Sequence, residues 1–594
     1  MPDVFNVGVS GLNASQIALA TVSHNISNAN TTGYTRQVIR QEAMLPQHEG
    51  YGFVGMGVDV NQVKRNYDKY LTDQVHSAQA TSSFNSAQLT QLTQIDNIMA
   101  NTTVGLNPSL QSFFTGLQTL TQDPGSVPNR QNVISGAQAL ASQFQSIDTR
   151  LTQIQDGTNT QITSAVGSIN TLASKIADLN YQINGLAAGS QVNVPNDLMD
   201  QRDQAVLDLN KLVQATYSVQ ADGSYNVFIG NGQTLVQGDV TMPLATRPNP
   251  TDPANVQLIQ PNADGSTTLL PDKLITGGAL GGLLNFRDNT LLQTQKTLGN
   301  IAIDFTTAMN YQQSLGLDLN GNAGTPIFTD LTQYTSKPQD AVANLQVLLS
   351  DPRTIAAASN MTAGSMSPAN SGVVVTSVSA TLPGSYGWTS PTTPPLASNH
   401  PSMGFSNMVI TATSASNITA SISGGPGAGT YNVVADADRQ NGYKLVSTGT
   451  PAKDVGVAFS LSSQMQAGMS FTITPNTAAA MGNGDNTNLL QMVNLQTKPV
   501  VDSTRNGTAT GLQSFENAYV TATSVVGNAT NSVKMSSSAA DTTLHQTELA
   551  KSNVSGVNLD QEAADLIRYQ QAYQASSKVI AMAQSIFQQI LQMS

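Results

Sequence analysis

The sequence predicts a mainly α-helical protein with an inserted β-rich segment, on three observations. Apolar residues recur every seven positions at both chain ends, and a stripe in alternating four- and three-residue steps runs through residues 133–183. From about residue 365 to 480 the composition turns to Gly, Ser, Thr and Val with few formal charges. The first two are helical periodicities, and a sustained heptad marks long helices that pair in coiled-coil fashion. The third reads as a separate all-β segment of short alternating runs.

At the N-terminus the heptad is Phe5, Leu12, Leu19 and Ile26, with small Gly8 and Ser15 beside it. It ends in "SHNISNANTTGYTRQ" (23–37), where Asn28, Asn30 and Gly33 favour turns and left-handed backbone, and His24 suits a helix C-terminus. Asn25-Ile26-Ser27 and Asn30-Thr31-Thr32 also fit the short N-glycosylation pattern. The C-terminal heptad is Leu559, Leu566, Tyr573, Ile580 and Phe587. Its matching period implies that the two end helices pair, giving a discontinuous helical core domain of 1–62 and 553–594.

Between the ends, residues 62–100 read as helix through Tyr67, Tyr70, Phe84, Leu92, Ile95 and Met99. After the breaker Asp123-Pro124-Gly125 the regular stripe runs from Val133 through Phe144 and Leu151 to Ile154, then resumes beyond Gly157 from Ile162 to Ile183. That is a rod of about fifty residues. A helix over 196–215 precedes β-type runs punctuated by Asp222-Gly223 and Asn231-Gly232, which read as hairpin turns. Helix returns over 280–314 with Leu284, Leu291, Leu298, Ile301 and Phe305 on one face, and again from Leu489. The rod domain is thus 63–365 and 481–552, with β-hairpins near 216–275, and the β-rich outer domain is an insertion at 366–480.

Composition excludes several functions. Of 594 residues only 10% are charged, against about 25% in an average protein. A net charge of −12 with no basic patch argues against nucleic acid. Cysteine is absent and the five histidines are scattered, so no metal-ligand spacing occurs. No apolar run is long enough for membrane insertion, and the first basic side chain is Arg36, so a cleavable secretory signal is not expected. "GGPGAG" (424–429) leads into a β run and reads as a turn, not a phosphate loop. "DLNGNAGTPIFT" begins like a calcium loop but has Ala323 and Thr329 where Gly and Glu are needed. Asp200, Arg202 and Asp203 look like surface charges on a helix. No nucleophile has a base nearby; neither catalysis nor a cofactor is expected.

The segment "LNASQIALATVSHNISNANTTGYTRQ", with Ala29, Asn30, Thr32, Gly33 and Tyr34 as its signature turn, resembles the N-terminus shared by axial proteins of the bacterial flagellum. The C-terminal "SGVNLDQEAADLIRYQQAYQASSKVIAMAQSIFQQIL" is similar to the other end of the same group. Thr35-Arg36-Gln37, "LMDQRDQAVLDL" (198–209), "LGGLLNFRD" (280–288) and "GLDLNGNAGTPIF" (316–328) look most like its hook-associated, hook–filament junction branch. The resemblance implies terminal helices in the inner core of a tubular layer, rods in a middle shell and a β domain outside. It implies self-association, contacts with hook protein and the next junction protein, and an export chaperone on the C-terminal helix. It also implies export by the flagellar secretion apparatus, which would keep Asn25 and Asn30 from a glycosyltransferase. The assembly seam would be the two heptads named above. Two other readings stay open: another axial subunit of hook type, and a surface adhesin acting through the β insertion.

Overall fold

A computed structural model describes residues 2–49, 52–101, 105–187, 195–262, 264–368, 371–383, 397–479, 481–506 and 511–593. Residues 369, 370, 384–396 and 480 of the expected β insertion lie outside the described residues. Ten α-helices occur among those described: α1 (Pro2–Ser27), α2 (Lys69–Met99), α3 (Leu106–Gln122), α4 (Val127–Ala187), α5 (Asn196–Leu212), α6 (Gly278–Asn285), α7 (Leu292–Ser314), α8 (Thr487–Asn494), α9 (Phe515–Ser555) and α10 (Leu559–Met593). They fall into two compact units, Met1–Gln91 with Gln155–Arg287 and Asn531–Ser594, and Leu92–Ile154 with Asp288–Thr530.

In the first unit the second half of α4 supplies Ile162, Val166, Ile169 and Ile176 to a core shared with Val206 and Leu209 of α5 and Leu280 and Leu284 of α6. Strands Tyr225–Ile229 and Gln233–Gln237 close it with Val227, Ile229 and Leu235. Their connections are tight hairpins, because Gly223 (φ +86°) and Gly232 (φ +101°) take up the left-handed backbone that the turns demand. The helix α4 is 61 residues long, longer than its stripe suggests. It passes through Gly157 unbroken, since the buried residues on both sides outweigh one glycine's cost of about 1 kcal/mol.

Residues 37–65 differ from expectation. The sequence placed them in a helical end domain to residue 62; they form antiparallel hairpins instead, Gln37–Ala43 with Val58–Arg65 and Gln47–Glu49 with Gly52–Val54. Polar Arg40, Gln41 and Glu42, and a bulge between Arg40 and Gln41, interrupt the two-residue alternation that would have revealed a strand.

The second unit is built on an aromatic cluster. Phe113 and Phe114 of α3, Phe144 of α4, Phe305 of α7, Phe328 and Phe515 of α9 are all buried, with Phe305 within 6.5 Å of Phe114, Phe144 and Phe515 by ring centroids. The same unit holds an eight-stranded antiparallel sheet that begins at Met361 and ends at Pro475. Its alternation is plain in Asn407–Ser414, where Met408, Ile410 and Ala412 are buried and their neighbours are not. Gly424 and Gly425, both at positive φ, turn the chain between strands Asn417–Ser423 and Gly429–Asp436. Gln312 of α7 donates to the Ala380 carbonyl of the sheet (3.0 Å) and to Asn488 of α8 (2.8 Å), tying helices and strands together.

Candidate assembly surface and the network behind it

Helices α1 and α10 pack antiparallel. Gly8 faces Ile580, Gly11 faces Ser576, and Asn25 bonds to Glu562. Between these contacts α1 carries a covered stripe of Gly8, Gly11, Ser15, Ala18, Val22 and Asn25, in alternating steps of three and four, with Gly11 half-buried and the rest buried. Small side chains let the two backbones approach closely, since a Cβ on Gly8 would lie 2.8 Å from Ile580 Cγ1. On α1 the pairing stripe therefore differs from the one that large apolar residues mark in the sequence, whereas on α10 the marked Ile580 takes part.

The heptad of large residues is only partly covered in the single chain. Phe5, Ile26, Leu559, Tyr573 and Phe587 are exposed, from 37% for Ile26 to 58% for Phe587, while Leu12, Leu19, Leu566 and Ile580 are half-buried. Beside α1 a groove of about 410 Å³ is lined by Val9, Asn13, Ile17, Met44, Met56 and Val58. On the neighbouring hairpins Leu45 and Phe53 stand free in solvent. The groove is lined by polar as well as apolar side chains, among them Asn6, Ser10 and Asp59.

The signature turn is where the sequence motifs meet. Asn28 closes α1, its side chain donating to the His24 carbonyl at 3.0 Å. Asn30 and Thr32 are exposed, Ala29 is half-buried, and Gly33 bends the chain with φ +83°. Tyr34 donates its hydroxyl to Asn25 Oδ1 (2.7 Å). Asn25 also accepts from the Gln37 backbone N–H and donates to Gln37 O and Glu562 Oε2, all at 2.9 Å, so both ends of its amide are satisfied. It is buried, which leaves the Asn25-Ile26-Ser27 acceptor pattern without an accessible side chain.

Asp200, Arg202 and Asp203 are not surface charges; all three are buried. Asp200 accepts from the Thr35 N–H at 2.8 Å, and Arg65 reaches both Asp200 and Asp203 at 2.7 Å. Burial draws the Arg65 pKa down, but Asp203 and Asp200 outweigh it and the net direction is up, so this cation stays charged. Arg202 lies over the Tyr225 ring at 3.5 Å and donates to Asn180 and the Gly223 carbonyl. Helical spacing cannot reveal this, because Arg65 arrives from a strand 135 residues earlier. The available signal was scarcity: in a chain with so few charges, three within four residues needed a partner.

Arg36, from the same turn, donates to Glu562 at 2.6 Å and to Asp565 at 3.3 Å, and Gln37 donates to Asp197 at 2.8 Å. Segments around residues 25–37, 197–203 and 555–565 thus form one polar network behind the α1–α10 pair. Among the described residues no group of three or more His, Asp or Glu could hold a metal ion, and no helix is long and apolar enough to cross a membrane. Asp318 of the calcium-like segment accepts from the backbone N–H groups of Asn320 and Asn322, an ordinary turn.

Comparison with known proteins gives a consistent result. Residues 92–328 match the family described as flagellar hook-associated protein FlgK helical domain. Residues 5–35 match the flagella basal body rod protein family, and 551–593 the flagellar basal body rod FlgEFG protein C-terminal family. The chain is 33% identical to flagellar hook-associated protein 1 of Escherichia coli K12 and 34% identical to that of Salmonella typhimurium, in each case over 100% of both chains. The flagellar hook junction protein FlgK of Burkholderia pseudomallei is a solved structure with a TM-score of 0.62 and 26% identity, covering 80% of this chain and 99% of its own.

Proposed function

Because this chain belongs to the flagellar hook-associated protein 1 family, we propose that it is a structural subunit of the bacterial flagellum, forming the junction layer between hook and filament. The observation that carries this reading is full-length similarity that includes both chain ends and the segments their network joins. An enzymatic role has no support in that family name or in any cluster of reactive side chains described above.

In the finer reading, copies of the chain associate in a tubular layer through the seam of Phe5, Leu12, Leu19, Ile26, Leu559, Leu566, Tyr573, Ile580 and Phe587. Five of these are exposed apolar side chains on one chain, which favours burial by a neighbour. Hook protein would contact one side of the layer and the next junction protein the other, with an export chaperone on α10 before assembly and delivery through the flagellar secretion apparatus. The turn at Ala29–Tyr34 would hold α1 in the inner core, and the three-part division at 62/553, 365/481 and the 366–480 insertion would correspond to inner, middle and outer shells.

Deleting the gene tests the main reading. Cells should still build hooks but fail to attach filaments, shedding filament protein into the medium. Normal filaments in the deletion strain would refute it. Binding of a purified chaperone candidate to the full chain, and its loss when residues 555–594 are removed, tests the finer one.

A further inference from the structure

We propose that Asn483-Gly484 is a modification site, at which the folded chain converts asparagine to isoaspartate and aspartate without an enzyme. The inference is independent of the junction reading. The reaction needs only the Asn483 side-chain amide, the Gly484 backbone nitrogen and water. The nitrogen attacks Cγ and forms a C–N bond; the bond from Cγ to Nδ2 breaks, and ammonia leaves with the proton that the Gly484 nitrogen gives up. Water then opens the succinimide ring at either carbonyl, so the main chain runs on through the α-carboxyl or through the side-chain carboxyl. Glycine in the second position leaves the attacking nitrogen unshielded, because no Cβ stands beside it.

Six Asn-Gly pairs occur in the sequence, so the dipeptide alone selects none of them. In four of the others the glycine nitrogen is engaged. Gly185 lies inside α4, where its N–H belongs to the helix ladder. The N–H groups of Gly232, Gly321 and Gly442 donate to Ile229 O (3.2 Å), Asp318 O (3.0 Å) and Arg439 O (3.1 Å). The amides of Asn320 and Asn441 are held as well, by Asp318 at 3.4 Å and Ser462 O at 3.3 Å. Gly507 of the Asn506-Gly507 pair lies outside the described residues. Asn483 is different: it is exposed, and neither its amide nor the Gly484 N–H makes a hydrogen bond to a described residue. A Cβ on Gly484 would meet nothing within 4 Å, so the ring has room to close. The pair stands where the chain returns from strand Ser470–Pro475 to α8, just before Asp485, which accepts from the Ser359 N–H (3.1 Å) and the Thr487 N–H (2.9 Å). Isoaspartate would insert a methylene into the main chain at that point.

Peptide mass spectrometry tests the site on the full chain incubated in mildly alkaline buffer. Asn483 should lose ammonia about two- to tenfold faster than Asn231, Asn320 or Asn441, since at those three a hydrogen bond must break before the nitrogen can attack. Asn184 should be slower still, because a turn of α4 has to open first. In concentrated urea these rates should converge, as every pair then presents the same dipeptide in an open chain. Gly484→Val should suppress conversion in a chain that still folds, because Gly484 is not at positive φ and its surroundings are empty. Folded-chain rates at Asn231, Asn320 or Asn441 equal to that at Asn483, the same ranking in urea, or an undiminished rate in Gly484→Val would overturn the proposal.

Discussion

Gly8 and Ile580 sit where α1 and α10 come closest, and a Cβ at position 8 would lie 2.8 Å from Ile580 Cγ1 and 3.4 Å from the Ile580 backbone nitrogen. The second distance is an ordinary contact, but the first is not, so a side chain at residue 8 requires Ile580 to change rotamer or the helices to separate. Gly8→Val should push them apart at a cost of about 1–3 kcal/mol, the usual size of overpacking. Limited proteolysis would then release C-terminal fragments from 559–593 earlier than in the parent, with residues 155–287 still protected. Unchanged cleavage would show that the helices do not depend on this contact.

The opposite result is expected at Gly157. It lies inside α4 with nothing within 4 Å of where a Cβ would stand. Gly157→Ala should raise stability by about 0.4–1 kcal/mol, since alanine loses less conformational freedom on entering a helix. A urea midpoint that fell would mean the helix bends there in solution.

Two leucines separate folding from assembly. Leu151 is fully buried in α4, whereas Leu566 on α10 is half-exposed in the single chain. Leu151→Asp should cost about 3 kcal/mol or more, because an unpaired charge enters an apolar core. Leu566→Asp should change the melting temperature of the monomer little and abolish incorporation into hooks. Equal melting-temperature losses in the two purified variants would contradict this division.

Acid should weaken the first unit through His76. Burial, reinforced by Lys551, lowers the His76 pKa to about 4, and burial lowers that of His400 to about 4, from an ordinary 6.5. Between these values the unfolded chain binds more protons than the folded one, so stability falls as pH drops from 6.5 towards 4 and is flat above. Asp148 works the other way: burial and Asp340 raise its pKa from 3.8 to about 6, and its protonation adds stability over part of the same range. Asp148 lies in the same unit as His400 and largely offsets it, so the net fall comes from His76 in the first unit. His76→Phe should remove about 2–3 kcal/mol of the loss between pH 7 and 4. The check is the urea midpoint at both pH values; an unaltered slope would mean that His76 is protonated while folded.

The sequence by itself determined most of the long helices and most of the β segment, because both follow from local periodicity, although it left α3 unread. Every apolar member of the α4 stripe from Val133 to Ile154 is buried, and the alternation at 407–414 matches the sheet. A residue three or four positions along a helix shares its face whatever lies opposite. What lay opposite was decided only by the tertiary structure. The heptads announce two pairing helices, yet α1 meets the heptad residue Ile580 through glycine, because hydropathy marks large residues whereas close approach of backbones selects small ones. Asp200, Arg202 and Asp203 have the spacing of a solvated helix face, but Arg65, Thr35 and Tyr225 come to them from other elements and make burial affordable. Arg36 and Glu562 stand 526 residues apart, and no periodicity spans that distance. Local backbone geometry is written in neighbouring residues; the compensation of a buried charge depends on which distant segment the fold delivers to it.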